Sequence, residues 1–493
     1  MTGLYMLDYG AGNVRSLVNA VKHLGYDIKF IKDPADILKA DKLIFPGVGA
    51  FGHAMQALHE KGYASPLKEY LLSGRPFMGI CVGMQTLFEG SEESDMPGLG
   101  VIPGITKQFE ASNKAVPHMG WNKAQVLKHS SSNQDVSFQI KDTSVYYFVH
   151  SFAVPYEKTK HKEWALTTTQ YGDEIFISSA QKGNIFVTQF HPEKVALMVS
   201  ECFNPFLTLI KEPVVFAQDT FTKRIIACLD VRANDNGDLV VTKGDQYDVR
   251  EKLADGSDDV RNLGKPVDLA KRYFEEGADE ITFLNITSFR NCPLGDAPML
   301  EVLRRTSETV FVPLTIGGGI RDVVDPDGTV HPAFEVAGEY FRSGADKVSI
   351  GSDAVFAVEK YLAEGKDGKS AIETIAKAYG SQAVVISVDP RRVYVNDPTE
   401  TTHHVVKASQ LGPKGEQYCW YQCTVKGGRE GRDLDVCQLV TACQALGAEV
   451  FEKTKVEAAL AAGIFHRHEV PIQAVKDHLK SVGVNIRSNE TEL

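Results

Sequence analysis

The chain lacks any apolar run approaching the roughly 20 residues that cross a bilayer, so nothing in it marks a membrane span. It also lacks a basic excess. Its 53 Lys and Arg stand against 64 Asp and Glu, a net charge of −11, which argues against a nucleic-acid binder. A small anionic ligand is still allowed, because backbone amides bind phosphate even in acidic proteins. Cysteine is sparse: Cys81, Cys202, Cys228, Cys292, Cys419, Cys423, Cys437 and Cys443 are scattered through apolar or helical contexts. They read as free thiols of a reducing compartment and not as a disulfide framework. Cys419 and Cys423 have one metal-like spacing, but no second Cys/His pair accompanies them, so two positions on a strand is the better reading. No metal and no cofactor are expected. No leader-like pattern precedes the first strand, Leu4-Tyr5-Met6-Leu7-Asp8, and a cytoplasmic location is expected.

What is present is an ordinary folded composition, 43% apolar and 24% charged, in a chain of 493 residues, too long for one hydrophobic core. Residues 1–212 alternate short apolar runs (Leu43–Phe45, Phe77–Ile80, Tyr146–Val149, Ile185–Val187) with helical patterns at Val14–Leu24 and Ala54–Leu72. This predicts an α/β domain with a mostly parallel sheet. Residues 213–222 carry no period and read as a linker. From Lys223 the strands change style. Ile225–Val231, Ile281–Ile286, Val312–Ile316, Lys347–Ile350 and Ala383–Val388 are nearly all apolar, as strands buried on both faces are. Each ends in a polar residue or glycine, where a (β/α)8-type barrel carries its functional groups.

This second segment, 223–493, repeats itself. Ile225–Val231 resembles Val384–Pro390, Lys243-Gly244 is echoed by Lys426-Gly427-Gly428, and Lys347–Ser352 by Lys455–Gly463. The half-repeat exposes a gap. Lys243 to Lys347 spans 104 residues, but Lys426 to Lys455 only 29. Roughly 50 residues, somewhat under two strand–helix units of about 30 each, are missing near 449–451. The barrel is therefore expected to lack about two strands.

Gly79-Ile80-Cys81-Val82-Gly83 places a cysteine between glycines, directly after a strand and before a helix. This is the thiol form of a nucleophile elbow, in which the helix start favours a thiolate. Alone, it could equally be a buried cysteine. Phe190-His191-Pro192-Glu193-Lys194 follows another strand. His191 can take the thiol proton and later protonate a leaving amine, while Glu193 orients the imidazole. Together the two motifs predict a catalytic Cys81–His191–Glu193 set. Pro46-Gly47-Val48-Gly49, after a third strand, can turn a backbone N–H toward a developing oxyanion.

In the second segment, Asp230 and Asp389 occupy equivalent strand ends of the two half-repeats. Facing each other across a barrel mouth they would suit general acid/base work on one substrate, although either alone could merely cap a turn. Gly317-Gly318-Gly319 and Gly351-Ser352 end adjacent strands and offer free amides to a phosphate. Ala462 and Gly463, closing the last strand, are expected in the same role, and Lys243 is a candidate charge beside the substrate.

The set PGVG, GICVGMQ, PHMGWN (117–122), YYFVHSF (146–152) and FHPEK resembles the class I glutamine amidotransferases, most closely those of the imidazole glycerol-phosphate synthase family. RIIACLDV, VVTKGDQYDV, ITFLNITSF, VPLTIGGGI, DKVSIGSDAV and QAVVISVD resemble that family's cyclase barrel, in the fused order seen in fungi and plants. The resemblance implies that glutamine is hydrolysed in the first domain. Ammonia then passes through the barrel to a ribulosyl aminoimidazole-carboxamide nucleotide (PRFAR), yielding imidazole glycerol phosphate and AICAR, a step of histidine biosynthesis. It implies that Gln85 and Glu93 hold glutamine, and that Arg224, Glu280 and Lys347, with Glu449 as a candidate fourth member, form an ionic gate at the barrel base. Asp346 is expected to pair with Lys194 across the domains, although plain surface ion pairs would also explain such charges. Its family's sixth and seventh strands, with a second phosphate loop, have no counterpart here. A splicing or gene-model lesion in an otherwise normal enzyme would leave such a gap, and the retained functional residues favour it. The alternative is a variant whose cyclase is defective, acting as a glutaminase or a non-catalytic nucleotide-binding or regulatory protein. Fusion removes the need for a separate subunit, so a monomer acting on small molecules is expected.

Overall fold

The computed structural model describes residues 3–112, 114–127, 140, 144–194, 221–234, 238–242, 250–252, 258–260, 263–286, 294, 297–448, 458–462, 465 and 470–487. Most of the expected linker (213–220), Lys243, Gly463, Glu449 and the cysteines at 202 and 292 lie outside them.

The N-terminal half is built on an eight-stranded sheet in the order Lys29–Phe30, Leu4–Met6, Lys42–Phe45, Phe77–Ile80, Ile185–Thr188, Glu174–Lys182, Ala165–Tyr171, Gln125–Val126. Its first five strands are parallel. The three central ones, Lys42–Phe45, Phe77–Ile80 and Ile185–Thr188, are buried along their length apart from Lys42. Helices cover them, with the apolar side of Val14–His23 (Leu17, Ala20, Val21) turned inward. The single helix expected over Ala54–Leu72 is two, Phe51–Glu60 and Ala64–Leu72. Gly62, at φ +69°, makes the break with a backbone conformation that glycine adopts without strain. A separate antiparallel pair, His118–Lys123 with Val145–His150, carries the PHMGWN and YYFVHS segments toward the second half.

The second half has a parallel sheet in the order Ala458–Ala461, Arg224–Ala233, Glu280–Asn285, Leu314–Gly317, Lys347–Ile350, Val384–Ile386. Leu239–Thr242 adds an antiparallel arm to Arg224–Ala233. Helices such as Pro266–Glu275, Pro298–Thr306, Ala333–Ser343 and Ser352–Glu364 alternate with the strands, the barrel pattern. Among the described residues, no further strand of this sheet pairs with the outer edge of Val384–Ile386 or of Ala458–Ala461. Leu460, on one of the two margins, is 56% exposed.

The strand expected over Ala383–Val388 is short, and the chain at Asp389 enters a different sheet. Asp389–Val395, Val406–Lys407, Tyr418–Val425 and Glu430–Asp435 form an antiparallel four-stranded layer. Cys419 and Cys423 sit on its Tyr418–Val425 strand, four residues apart and both buried, as alternation along a strand requires for one face.

Candidate functional site

Three adjacent parallel strands end at one level. Phe45 is paired with Gly79, and Ile80 with Thr188. The residues that follow them, Pro46–Gly49, Cys81 and Gln189–Glu193, are therefore delivered to one place by sheet register alone. Cys81 has φ +53° and ψ −110°, a left-handed geometry costly for a side-chain-bearing residue and one that concentrates at functional sites. The elbow's glycines have a steric reason. A Cβ on Gly79 would lie 2.8 Å from the Gly83 carbonyl oxygen, and one on Gly83 would collide with the carbonyl oxygen of Phe45.

The His191 Nδ1–H donates to Glu193 Oε1 at 2.9 Å, both side chains being buried. Burial works against a charged imidazole, but the Glu193 carboxylate and the Cys81 sulfur outweigh it and hold the His191 pKa up at about 10. Burial likewise opposes the Glu193 carboxylate, yet the charge and hydrogen bond of His191 bring its pKa below the ordinary glutamate value. His191 Nε2 is buried and makes no hydrogen bond within the described residues, which suits a nitrogen meant to exchange a proton.

Around this set stand the expected glutamine-site residues. The Gln85 Nε2 donates to the Phe152 carbonyl at 2.9 Å and to Gln189 Oε1 at 3.1 Å. Glu93 Oε2 accepts from the Phe51 N–H at 2.7 Å. Gly47 packs against Val82, and Gly49 against the Tyr9 ring hydroxyl. The carbonyl of Val48 accepts from that hydroxyl at 3.2 Å. A cleft of about 1000 Å³ opens beside Glu93, between His53, Gln56 and Gln108 of the first half and Thr374, Lys377 and Gln444 of the second.

At the barrel base, Glu280 gathers the charges expected there. Arg224 Nη1 lies 2.7 Å from its Oε2 and Lys347 Nζ 2.5 Å from its Oε1. Thr315 Oγ1–H donates to the same Oε1 at 2.7 Å. All are buried. Burial alone would favour the neutral carboxyl, but Lys347 and Arg224 keep Glu280 below its ordinary pKa. Lys347 Nζ also reaches Met119 Sδ, 3.7 Å away in the PHMGWN segment. Next to it, Asp346 takes Lys194 Nζ at 2.7 Å, Asn13 Nδ2 at 3.0 Å and the Leu314 N–H at 2.8 Å. Lys194 and Asp346 are both buried, so this is no plain surface pair.

Asp230 shares a level with Leu284, Gly317, Ser349 and Val385 across the sheet, and Asp389 follows three residues after the fifth strand ends. Both therefore sit at the opposite, carboxyl-end face, and burial raises the Asp389 pKa. Gly318 (φ +95°) and Gly319 (φ +76°) turn the chain after Leu314–Gly317, and a Cβ on Gly319 would meet nothing. Gly351 precedes the 13-residue helix Ser352–Glu364, and Ser352 Oγ accepts from the N–H of Lys426 at 3.1 Å. Ala462 lies just past the strand Ala458–Ala461. Two groups beside the nucleophile escaped the sequence reading: Gln189, whose Nε2 reaches Cys81 Sγ at 3.5 Å, and Tyr9, whose hydroxyl meets the Pro46–Gly49 loop. The signal for Gln189 was its place two residues before His191, just past the end of the strand Ile185–Thr188.

Comparison with known proteins assigns each half of the chain to a family. Residues 5–198 match the family model described as glutamine amidotransferase class-I, and residues 224–459 the one described as histidine biosynthesis protein. The chain is 53% identical over 543 residues to an imidazole glycerol phosphate synthase of Schizosaccharomyces pombe, covering 98% of this chain and 99% of the relative. It is 51% identical over 553 residues to that of Emericella nidulans, with both chains covered in full. A chloroplastic counterpart from Arabidopsis thaliana is 51% identical over 536 residues, covering 98% of this chain and 89% of its own. All three alignments are longer than the 493 residues present here, so each relative carries residues that have no counterpart in this chain. Among the described residues, no helix is long and apolar enough to cross a membrane.

Proposed function

The chain belongs to the fused, glutamine-dependent imidazole glycerol phosphate synthases of histidine biosynthesis, and from that premise we propose how its residues divide the work. Cys81 attacks the side-chain carbonyl of glutamine as a thiolate. The tetrahedral oxyanion takes a backbone N–H from the Gly47-Val48-Gly49 segment. His191, held protonated by Glu193, gives its proton to the departing ammonia and then draws one from the water that hydrolyses the thioester, releasing glutamate. Gln85 and Glu93 line the glutamine site, entered through the cleft beside Glu93. The observation that carries this reading is the common level of three parallel strand ends, which brings loop, nucleophile and base together.

Ammonia then leaves toward Met119 and passes the Arg224–Glu280–Lys347 cluster into the barrel. There Asp230 and Asp389 serve as acid and base for the closure of the imidazole ring of PRFAR. The amides of Gly319, Gly351 and Ser352 hold a phosphate of that substrate, with Lys243, Ala462 and Gly463 as further contacts. The units are a glutaminase domain at 1–212, a linker at 213–222 and a barrel at 223–493. The enzyme works as a monomer with no metal or cofactor. The six described cysteines are free thiols, which suits the cytoplasm.

The barrel of this chain also lacks about two strands near 449–451. The unclosed sheet between Val384–Ile386 and Ala458–Ala461 and the longer relatives support that. One assay tests the whole reading: imidazole glycerol phosphate is measured from PRFAR with glutamine, and separately with an ammonium salt. Product from both is expected. Product from neither would sink the division of labour, and product from ammonium alone would indict the glutaminase site or the ammonia path. Sequencing the transcript across codons 447–452 checks the missing strands.

A further inference from the structure

We propose that Gln189 is a catalytic residue of the glutaminase site, its carboxamide N–H holding the Cys81 sulfur as an anion. This rests on the reading of Cys81 as the nucleophile.

The orientation of the carboxamide follows from a chain of obligations. The carbonyl of Phe152 can only accept. His150 Nδ1 and Gln85 Nε2 each lie 2.9 Å from it, so both must be N–H donors. That fixes the Gln85 amide with its nitrogen toward Phe152. The same nitrogen lies 3.1 Å from Gln189, whose facing atom must then be the acceptor Oε1. The Gln189 nitrogen is left turned to Cys81 Sγ at 3.5 Å. Gln189 is 1% exposed and Gln85 5% exposed, so no bulk water competes for these groups. The backbone is set as firmly: the Gln189 N–H donates to Ser178 O, and the His191 N–H to Tyr147 O, each at 2.9 Å. Gln189 and His191 follow the strand Ile185–Thr188, and both side chains reach Cys81, the carboxamide at 3.5 Å.

The two groups do different work. His191 moves a proton, whereas a carboxamide does not ionise and keeps its N–H on the sulfur throughout. It favours the anion in two places: before attack, and when water has added to the thioester and the C–S bond breaks with its electron pair returning to sulfur. In the second step the proton of the attacking water goes to His191, and the thiolate that leaves is received by the Gln189 N–H. Loss of the donor therefore affects turnover more than glutamine binding.

The test uses the full-length chain. Gln189→Met removes the donor while keeping the length and bulk of the side chain. It is expected to lower kcat for glutamine hydrolysis about tenfold, the scale of one charge-assisted hydrogen bond, with KM changed less than about twofold. It should also move the midpoint of the pH profile of iodoacetamide alkylation of Cys81 upward by about one unit. Gln85→Leu keeps Gln189 but releases its orientation, and should shift the same midpoint by a smaller amount in the same direction. It also serves if the first variant does not fold. An alkylation profile unmoved in both variants, or a change in KM alone, overturns the proposal. Cys81→Ala is run beside them. If that variant still hydrolyses glutamine, the nucleophile assignment itself has failed and not only the role of Gln189.

Discussion

The two halves of the molecule carry their chemistry in opposite ways. In the first, the loop, nucleophile and base proposed to act on glutamine lie at the ends of three neighbouring strands of one open sheet, with Glu193 hydrogen-bonded to His191. In the second, one proposed acid–base group stands on the first strand of the parallel sheet and the other three residues past the end of the fifth. An open sheet can lose or gain strands at its margin without disturbing its centre. In a closed barrel strand number, tilt and stagger are linked, so a change at one point is felt around the ring. At the base of the second half, where it meets the first, buried ion pairs gather around Glu280 and Asp346.

The largest effect that could break this contrast is Cys81→Ala. Glutamine-dependent product should fall at least about ten-thousandfold, while product from ammonium salt stays within about twofold of the parent. Equal loss with both nitrogen sources would mean that the halves are not separable. Asp389→Asn is the converse, expected to cost about 10²–10⁴-fold in product from either source, with glutamine hydrolysis retained. Glu280→Gln sharpens the role of the base. It leaves Arg224 and Lys347 buried without their shared carboxylate, so chemical denaturation should show a loss of about 3–5 kcal/mol. The surviving folded protein should release more free ammonia per product formed. The smallest effect is a titration. The ordinary histidine pKa is 6.5 and that of His191 is raised to about 10. Its contribution to stability is thus fully present below about pH 6.5 and is lost as pH rises through about 10. ¹⁵N chemical shifts of the imidazole should show the cation persisting at pH 8, and Glu193→Gln should bring its midpoint down. A His191 that is neutral at pH 7 would remove the charge pairing from the account.

The sequence made some of this legible for physical reasons. Gly79 and Gly83 announce the elbow because the close approach of backbone to their Cα positions leaves no room for a side chain. The apolar runs from Ile225 onward announce buried parallel strands because no face of theirs meets water. The break at Gly62 was hidden inside one helical period. The four-stranded layer beginning at Asp389 was hidden because its strands alternate only weakly, and its pairing partners, up to 35 residues apart (Asp389 and Thr424), are set by tertiary contacts. Gln189 was hidden for another reason. Its direction is dictated by the carbonyl of Phe152 through Gln85, and no pattern local to residue 189 records that.

Asp346 and Lys347 are consecutive residues, yet one grips Lys194, three positions beyond His191, and the other grips Glu280. The second grip lies within the barrel, but the first is buried and crosses between the halves, and Asn13 of the first half adds another hold on Asp346. The covalent tie between the halves is therefore not what keeps them docked. Its service is stoichiometric: every glutaminase is born beside exactly one barrel, at an effective concentration no cell could reach with free partners. A protease site engineered at residue 216 and cleaved in the purified protein should leave two fragments that still migrate as one.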